Sequence, residues 1–313
     1  MMTRRQAIAW ISAAALAPRV SARDASPVME RALMGTRFAI ECDHPDQELV
    51  KTACTAAFAA ADQINEVASD YIADSELLSL QKHPAGTPVK VSAELFPLLK
   101  QALEFAQKTD GLFDPTLGPL TKLWRESRRR LTLPSPEILE AARSVSGWKY
   151  LTLDEDKSTA TFAKSGMRLD LGGIAKGQAA DAMLAVLQKY GISRISITCG
   201  GDVRLGDPPE QRKGWRVGVR TFDKTSDSRT LILSNDAVST SGDLQQAIEI
   251  DGVRYAHIID PMTGLGITKK AAATVIAPCA AMSDALATAC CIATPERARE
   301  LVRTVGATEL FLP

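Results

Sequence analysis

The C-terminal third of the sequence carries a carboxylate and a hydroxyl at a spacing that suits a metal ion. Asp284 and Thr288 stand four residues apart in the alanine-rich run Ala281 to Ala293, which has the pattern of a helix, so their side chains share one helix face. Such oxygen ligands suit Mg²⁺, which completes its shell with water and substrate phosphate. The alternative is structural: an early aspartate that favours the helix dipole and a threonine that packs inward.

A glycine pair and a lysine stand where a strand gives way to a helix, in RLDLGGIAKGQAAD (Arg168 to Asp181). Residues 168–171 alternate as in a strand and residues 174–190 have helical apolar spacing, so Gly172 and Gly173 open a helix. A helix start exposes unpaired N–H groups, and glycine lets ligand oxygens approach the chain, which favours phosphate binding. The run matches neither common glycine-rich phosphate pattern, so turn formation alone is the alternative.

A histidine precedes a proline–glycine turn in YAHIIDPMTG. His257 is one of only three histidines, and an imidazole could act as a general base near neutral pH. A single strand histidine with a structural role is the alternative.

The composition predicts a globular protein without a global electrostatic preference. The 313 residues are 45% hydrophobic, and 37 Lys and Arg balance 37 Asp and Glu. A large core is therefore expected, and no net charge favours nucleic acid or an anionic membrane. We expect no nucleic-acid partner and no stable membrane insertion.

The N-terminus has the pattern of an export signal. Arg4 and Arg5 precede an apolar run too short to span a bilayer, and Val20 to Ala22 offer small residues for cleavage. We predict a signal over residues 1–22 and a periplasmic domain over 23–313. Export through the twin-arginine route or the Sec route would fit the same residues.

The six cysteines lack C-x-x-C spacing, and we interpret them mostly as small buried residues. They are Cys42, Cys54, Cys199, Cys279, Cys290 and Cys291.

Hydrophobic periodicity predicts an α+β fold that is helix-rich in its first half and strand-rich from Tyr150 onward. The segment Lys122 to Pro136 is predicted to be a linker or mobile loop, with Arg128 to Arg130 on a solvated face. The other predicted elements are a strand over Arg31–Cys42, helices over Gln47–Ala68, Ser92–Lys108 and from Ser135 onward, and hairpins at Asp154–Lys157 and Gly206–Gly214.

Eight segments in order give the chain a specific resemblance over nearly all of its predicted mature length. Together they resemble the ApbE-like FAD:protein FMN transferases. The segments are MGT (34–36), SDYIADSEL (69–77), GLFDPTLGPLTKLW (111–124), LDLGGIAKGQAAD (169–181), GGD (200–202), STSGD (239–243), HIIDPMTG (257–264) and SDALATA (283–289).

The resemblance implies a two-lobed, T-fold-like α+β architecture with mixed or antiparallel sheets, with FAD in the cleft and Mg²⁺ on its pyrophosphate. The implied metal ligands are Asp284, Thr288 and the backbone carbonyl of Gly173. Tyr71 is suited to stacking on a ring system. The implied FAD-contact residues are Met34, Tyr71, Leu112, Phe113, Asp114, Asp170, Lys176 and Ile259.

The implied reaction transfers FMN from FAD to a threonine of an acceptor protein and releases AMP. We expect His257 to accept the threonine proton, with Asp243 or a metal-bound hydroxide as alternative bases. The acceptor would be a subunit of a redox complex or an electron-transfer protein of nitrous-oxide respiration. A flavin-binding or delivery protein without transferase activity and an enzyme that hydrolyses FAD to FMN and AMP are the alternative functions.

Overall fold

The computed structural model describes residues 28–219, 229–242 and 247–313. The predicted export signal and Asp243 lie outside the described residues.

Helices begin where a polar side chain can cap the first turn. The carboxylate of Asp46 accepts from the backbone N–H groups of Glu48 and Leu49 and starts the predicted first helix at its expected residue. Ser135 caps the helix that follows it, also as predicted. The eight helices in the described ranges are α1 (Gln47–Ala68), α2 (Glu76–Leu80), α3 (Leu95–Lys108), α4 (Gly118–Arg130), α5 (Pro136–Ser144), α6 (Ala175–Lys189), α7 (Ala280–Ile292) and α8 (Pro295–Val305).

Within the described part of the chain, the strands form one large antiparallel sheet and three small ones, which confirms the α+β class. The large sheet has the order β1-β2-β6-β7-β10-β13-β14; the small sheets are β3-β5-β4, β8-β9 and β11-β12. The strands are β1 (Val28–Leu33), β2 (Thr36–Cys42), β3 (Val89–Lys90), β4 (Leu151–Asp154), β5 (Thr159–Phe162), β6 (Ile195–Cys199), β7 (Asp202–Leu205), β8 (Trp215–Val219), β9 (Arg229–Leu233), β10 (Ala237–Gly242), β11 (Ile248–Ile250), β12 (Val253–Tyr255), β13 (Ala272–Ala277) and β14 (Glu309–Phe311).

The two helices that carry predicted site residues lie side by side on the large sheet. Helix α6 packs on β6 and β7, α7 packs on β10 and β13, and α6 also contacts both α7 and α1. The close approach of α6 and α7 occurs at Gly177, where an added Cβ would lie 2.3 Å from the carbonyl oxygen of Ala280. Glycine therefore sets the distance between the two helices.

The predicted linker over Lys122–Pro136 is wrong for most of its length, because α4 continues to Arg130. Pro119 stands at the start of this helix, and Leu120 and Trp124 are buried one turn apart. The sequence pattern did not predict this helix because its apolar face is narrow and the rest of its surface is polar and rich in arginine.

Three further predictions of local structure are wrong. The strand over Arg31–Cys42 is a hairpin, because Met34 and Gly35 have positive φ values of 49° and 72°. The segment Gly206–Gly214 is not a hairpin turn, because β7 pairs with β6 and β10 while β8 pairs with β9. The expected strand 168–171 is reduced to an isolated bridge between Leu117 and Arg168. The hairpin at Asp154–Lys157 is confirmed by the pairing of β4 with β5.

The cysteines are free thiols, five of them buried and Cys279 partly buried. This agrees with their interpretation as small packing residues.

Candidate active site

The three predicted metal ligands meet where the start of α6 faces α7. Asp284 is buried, and Thr288 stands one turn later, with its Oγ1 donating to the Asp284 carbonyl oxygen at 3.4 Å. Gly173 lies in the turn before α6, and a Cβ placed on it would be 3.5 Å from Thr288 Oγ1. Residues more than a hundred positions apart in sequence thus form one oxygen-rich site.

A lysine bridges two buried carboxylates at this site. Lys176 Nζ is 3.0 Å from both oxygens of Asp284 and 3.0 Å from Asp202 Oδ2. The backbone N–H of Gly177 also donates to Asp284, at 3.2 Å. Burial raises the pKa of Asp284 to about 6 although Lys176 opposes this, and burial alone would lower the pKa of Lys176, which the two carboxylates raise above its usual value. The predicted nucleotide-contact lysine is therefore also an ion-pair partner of the predicted metal ligand.

Asp202 belongs to the GGD segment, but the sequence alone gave no reason to assign it a role. It begins β7 after a turn in which Gly200 and Gly201 have φ values of 65° and 133°. A Cβ on Gly200 would lie 2.6 Å from Thr36 Oγ1. The turn that holds Met34 therefore packs beside the turn that positions Asp202.

Helix α7 is held at its first turn by a side chain from α6. The Asp181 carboxylate accepts from the backbone N–H groups of Ala280 at 3.0 Å and Ala281 at 2.9 Å. Arg204 Nε donates to the same carboxylate at 2.8 Å. Burial raises the pKa of Asp181, and these hydrogen bonds oppose the rise. Asp181 thus fixes the start of the helix that carries Asp284, a role for which the sequence gave no signal.

The predicted flavin-contact segment 112–114 lies against the glycine turn. The ring of Phe113 would be 3.3 Å from a Cβ on Gly173, so a larger residue there would press on the ring. Phe113 belongs to a large hydrophobic core, and Leu112 is partly buried against that core. The Asp114 carboxylate accepts from Thr116 and from the backbone N–H of Trp148, and burial raises its pKa despite these bonds. Asp114 thus shapes the loop that holds Phe113 in the core.

A second polar cluster forms around Arg125. This residue lies in α4, within the segment that was predicted to be a linker. The guanidinium pairs with Asp70 and, at 3.1 Å, with Asp170, and it lies 4.7 Å from the ring centre of Tyr71. Asp170 also accepts from the backbone N–H of Gly172 at 2.8 Å. Tyr71 leaves 78% of its surface exposed. The cluster therefore connects an exposed aromatic ring to the glycine turn that contains the predicted metal ligand Gly173.

His257 and Ile259 lie on the segment after β12, apart from both clusters in sequence. His257 is partly buried, and the flanking Ala256 and Ile258 belong to the core that contains Phe113. Ile259 forms an antiparallel bridge with Gly266. The catalytic role of His257 stays a prediction.

Comparisons with known proteins find similar sequences and a similar fold. A model of the ApbE family matches residues 34–312. The chain is 36% identical to an FAD:protein FMN transferase of Treponema pallidum, over 76% of this chain and 71% of that protein. It is 32% identical to one of Vibrio cholerae, over 84% of this chain and 80% of that protein. The solved structure of the ApbE protein from Thermotoga maritima superposes with a TM-score of 0.79 at 30% identity, covering 91% of this chain and 93% of that one.

Proposed function

The chain belongs to the ApbE family, and we propose that it is an FAD:protein FMN transferase that modifies a threonine of an acceptor protein. The observation that carries the proposal is the convergence of Gly173, Asp284 and Thr288 beside the Lys176 ammonium. Oxygen ligands for a cation and the positive charge of Lys176 support the binding of a substrate pyrophosphate here.

The proposed reaction is a phosphoryl transfer that needs no reactant besides FAD and the acceptor threonine. The threonine oxygen attacks the phosphorus on the FMN side of the FAD anhydride, the bond to the AMP oxygen breaks, and AMP leaves. The hydroxyl proton passes to a base, and the FMN phosphate becomes a phosphoester of the acceptor. The anhydride itself supplies the free energy, so no nucleoside triphosphate is needed.

The donor set fits Mg²⁺. A carboxylate, a hydroxyl and a backbone carbonyl are all hard oxygen ligands, which Mg²⁺ prefers over nitrogen or sulfur. In the described ranges, no group of three or more His, Cys, Asp or Glu side chains could hold a metal ion, so a cation here depends on Thr288 and Gly173 besides Asp284. When bound, the ion would neutralise pyrophosphate charge.

The protein residues divide the remaining roles. Lys176 adds positive charge beside the transferred phosphate, and the exposed ring of Tyr71 offers aromatic surface to the flavin nucleotide. His257 is proposed to accept the threonine proton, with Asp243 as the alternative base.

We further propose that the protein acts in the periplasm, because residues 1–22 have the pattern of an export signal. The acceptor would be a periplasmic or membrane redox subunit. None of the helices in the described ranges is long and apolar enough to cross a membrane. Mass spectrometry of exported protein should find a mature N-terminus near Arg23, and an intact Met1 would contradict this.

The direct test mixes protein, FAD and Mg²⁺ with candidate acceptors and looks for flavin fluorescence that survives denaturing electrophoresis. AMP release should equal flavin incorporation, and an acceptor whose target threonine is changed to alanine should stay unlabelled. Asp284→Ala should abolish labelling, whereas Asp62→Asn, which alters a surface ion pair on α1, should not. Free FMN without labelling would indicate FAD hydrolysis, and bound, intact FAD would indicate a binding protein; either result contradicts the transferase.

The role of His257 needs a separate test. If it is the base, His257→Ala should lower single-turnover transfer at saturating FAD and acceptor by about 10²-fold or more, with little change in FAD affinity. The acid limb of the native pH profile that belongs to imidazole protonation should be absent from the variant. A near-native rate with the same acid limb would exclude this role and make Asp243 the next residue to test.

A further inference from the structure

The ammonium group of Lys176 fills the place beside Asp284 that a bound cation would need. An ammonium has three donor hydrogens, and Nζ lies 3.0 Å from three carboxylate oxygens, two on Asp284 and one on Asp202. The Gly177 N–H takes a further position on Asp284 Oδ2. Little acceptor capacity is therefore left on Asp284 while the lysine bridges it.

The charges of this cluster require a counter-ion in the absence of a divalent cation. The side chains of Asp202 and Asp284 are only 6% and 5% exposed, and buried carboxylates are costly unless they are paired. Two carboxylates and one ammonium leave one net negative charge. A divalent cation on Asp284 would repel the ammonium at such short range, while Asp202 Oδ2 offers the ammonium a second partner from a different strand.

We propose that Lys176 is the resting counter-ion of Asp284 and that Asp202 is a positioning residue that retains the ammonium when a divalent cation takes Asp284. The inference deepens the proposed function, because it rests on Asp284 as a cation ligand. It also gives Asp202 a defined role, since this carboxylate keeps the displaced ammonium from competing with the cation.

The test is the affinity of the FAD-free protein for Mn²⁺ alone, measured from the electron paramagnetic resonance signal of free Mn²⁺. Lys176→Met removes the competing charge and should tighten Mn²⁺ binding by about tenfold or more. Asp202→Asn leaves the ammonium with Asp284 only and should weaken Mn²⁺ binding by about 10- to 100-fold, the usual range for residues that support a metal ligand.

The double variant separates this exchange from simple charge effects. If Asp202 acted only through its own negative charge, its substitution would weaken Mn²⁺ binding equally in both backgrounds. If it acts by retaining Lys176, Asp202→Asn should change the affinity less than about threefold in the Lys176→Met background. An undiminished effect there overturns the proposal, as does the absence of Mn²⁺ binding by the native protein.

Matched controls and a folding check keep the result interpretable. Lys189→Met, at the exposed end of α6, and Asp62→Asn, in the surface ion pair with Arg31, remove the same charges elsewhere on the protein and should leave Mn²⁺ affinity unchanged. Circular dichroism should confirm the fold, and Lys176→Gln replaces Lys176→Met if that variant does not fold. The native protein could label its acceptor while Asp202→Asn weakens Mn²⁺ binding equally in the native and Lys176→Met backgrounds. That result would contradict this inference and leave the proposed function intact.

Discussion

Gly177→Ala should separate α6 from α7 and disable the site, although alanine is the better helix former. The new Cβ would lie 2.3 Å from the Ala280 carbonyl oxygen and 2.6 Å from the Ala281 nitrogen, whereas ordinary contacts begin near 3.4 Å. The helices must therefore part by about 1 Å. Helix propensity alone would stabilise the variant by about 0.5–1 kcal/mol, but overpacking against backbone costs up to about 3 kcal/mol. We expect a net loss of about 2 kcal/mol in the free energy of unfolding.

The Gly177→Ala variant should also lose labelling activity, because Asp284 stands one turn of α7 after this contact. A displacement of about 1 Å at a reacting centre can cost about 10²-fold in rate. Urea unfolding followed by circular dichroism gives the first quantity, and single-turnover acceptor labelling gives the second. The matched control is Ala185→Gly on the exposed side of α6, which should cost about 1 kcal/mol by propensity and leave labelling intact. A Gly177→Ala variant as stable and as active as the native protein would refute the reasoning.

Four other outcomes follow from the described contacts and buried groups. Arg125→Gln should weaken FAD binding about tenfold by releasing Tyr71 from its stacked guanidinium, whereas Arg129→Gln should not; equal affinities in a fluorescence titration would count against Tyr71 as a flavin contact. Burial raises the pKa of Asp284 to about 6, above the value of about 4 that is usual for an aspartate in an unfolded chain. The protonated Asp284 therefore adds to the free energy of unfolding below about pH 4, and this contribution is lost as the pH rises through about 6. Mn²⁺ affinity should change in the opposite sense and fall as the pH drops below about 6; a flat profile from pH 5 to 8 would contradict Asp284 as a ligand. Burial raises the pKa of Cys290 to about 12, so this thiol should resist iodoacetamide at pH 7 until urea is added, as peptide mass spectrometry can show; rapid native alkylation would contradict this.

Elements with strong local signals could be predicted from the sequence. Helix α1 begins and ends at its predicted residues, and α7 differs from its prediction by one residue at each end. Both have capping or apolar patterns that depend only on neighbouring positions. Helix α4 was missed because its arginine-rich surface outweighed a narrow buried face formed by Leu120 and Trp124.

The sequence by itself determined the family, the α+β class and the shared helix face of Asp284 and Thr288, because ordered motifs and periodicity are local properties of a chain. Only the tertiary structure decided which charges surround that face. Lys176 reaches Asp284 across 108 positions, and Arg125 reaches Asp170 across 45. Such contacts depend on the strand order and on the approach of α6 to α7 at Gly177. Ion pairing of this kind has no short-range sequence signature, so Asp202 acquires its partner only when β7 and α6 pack together.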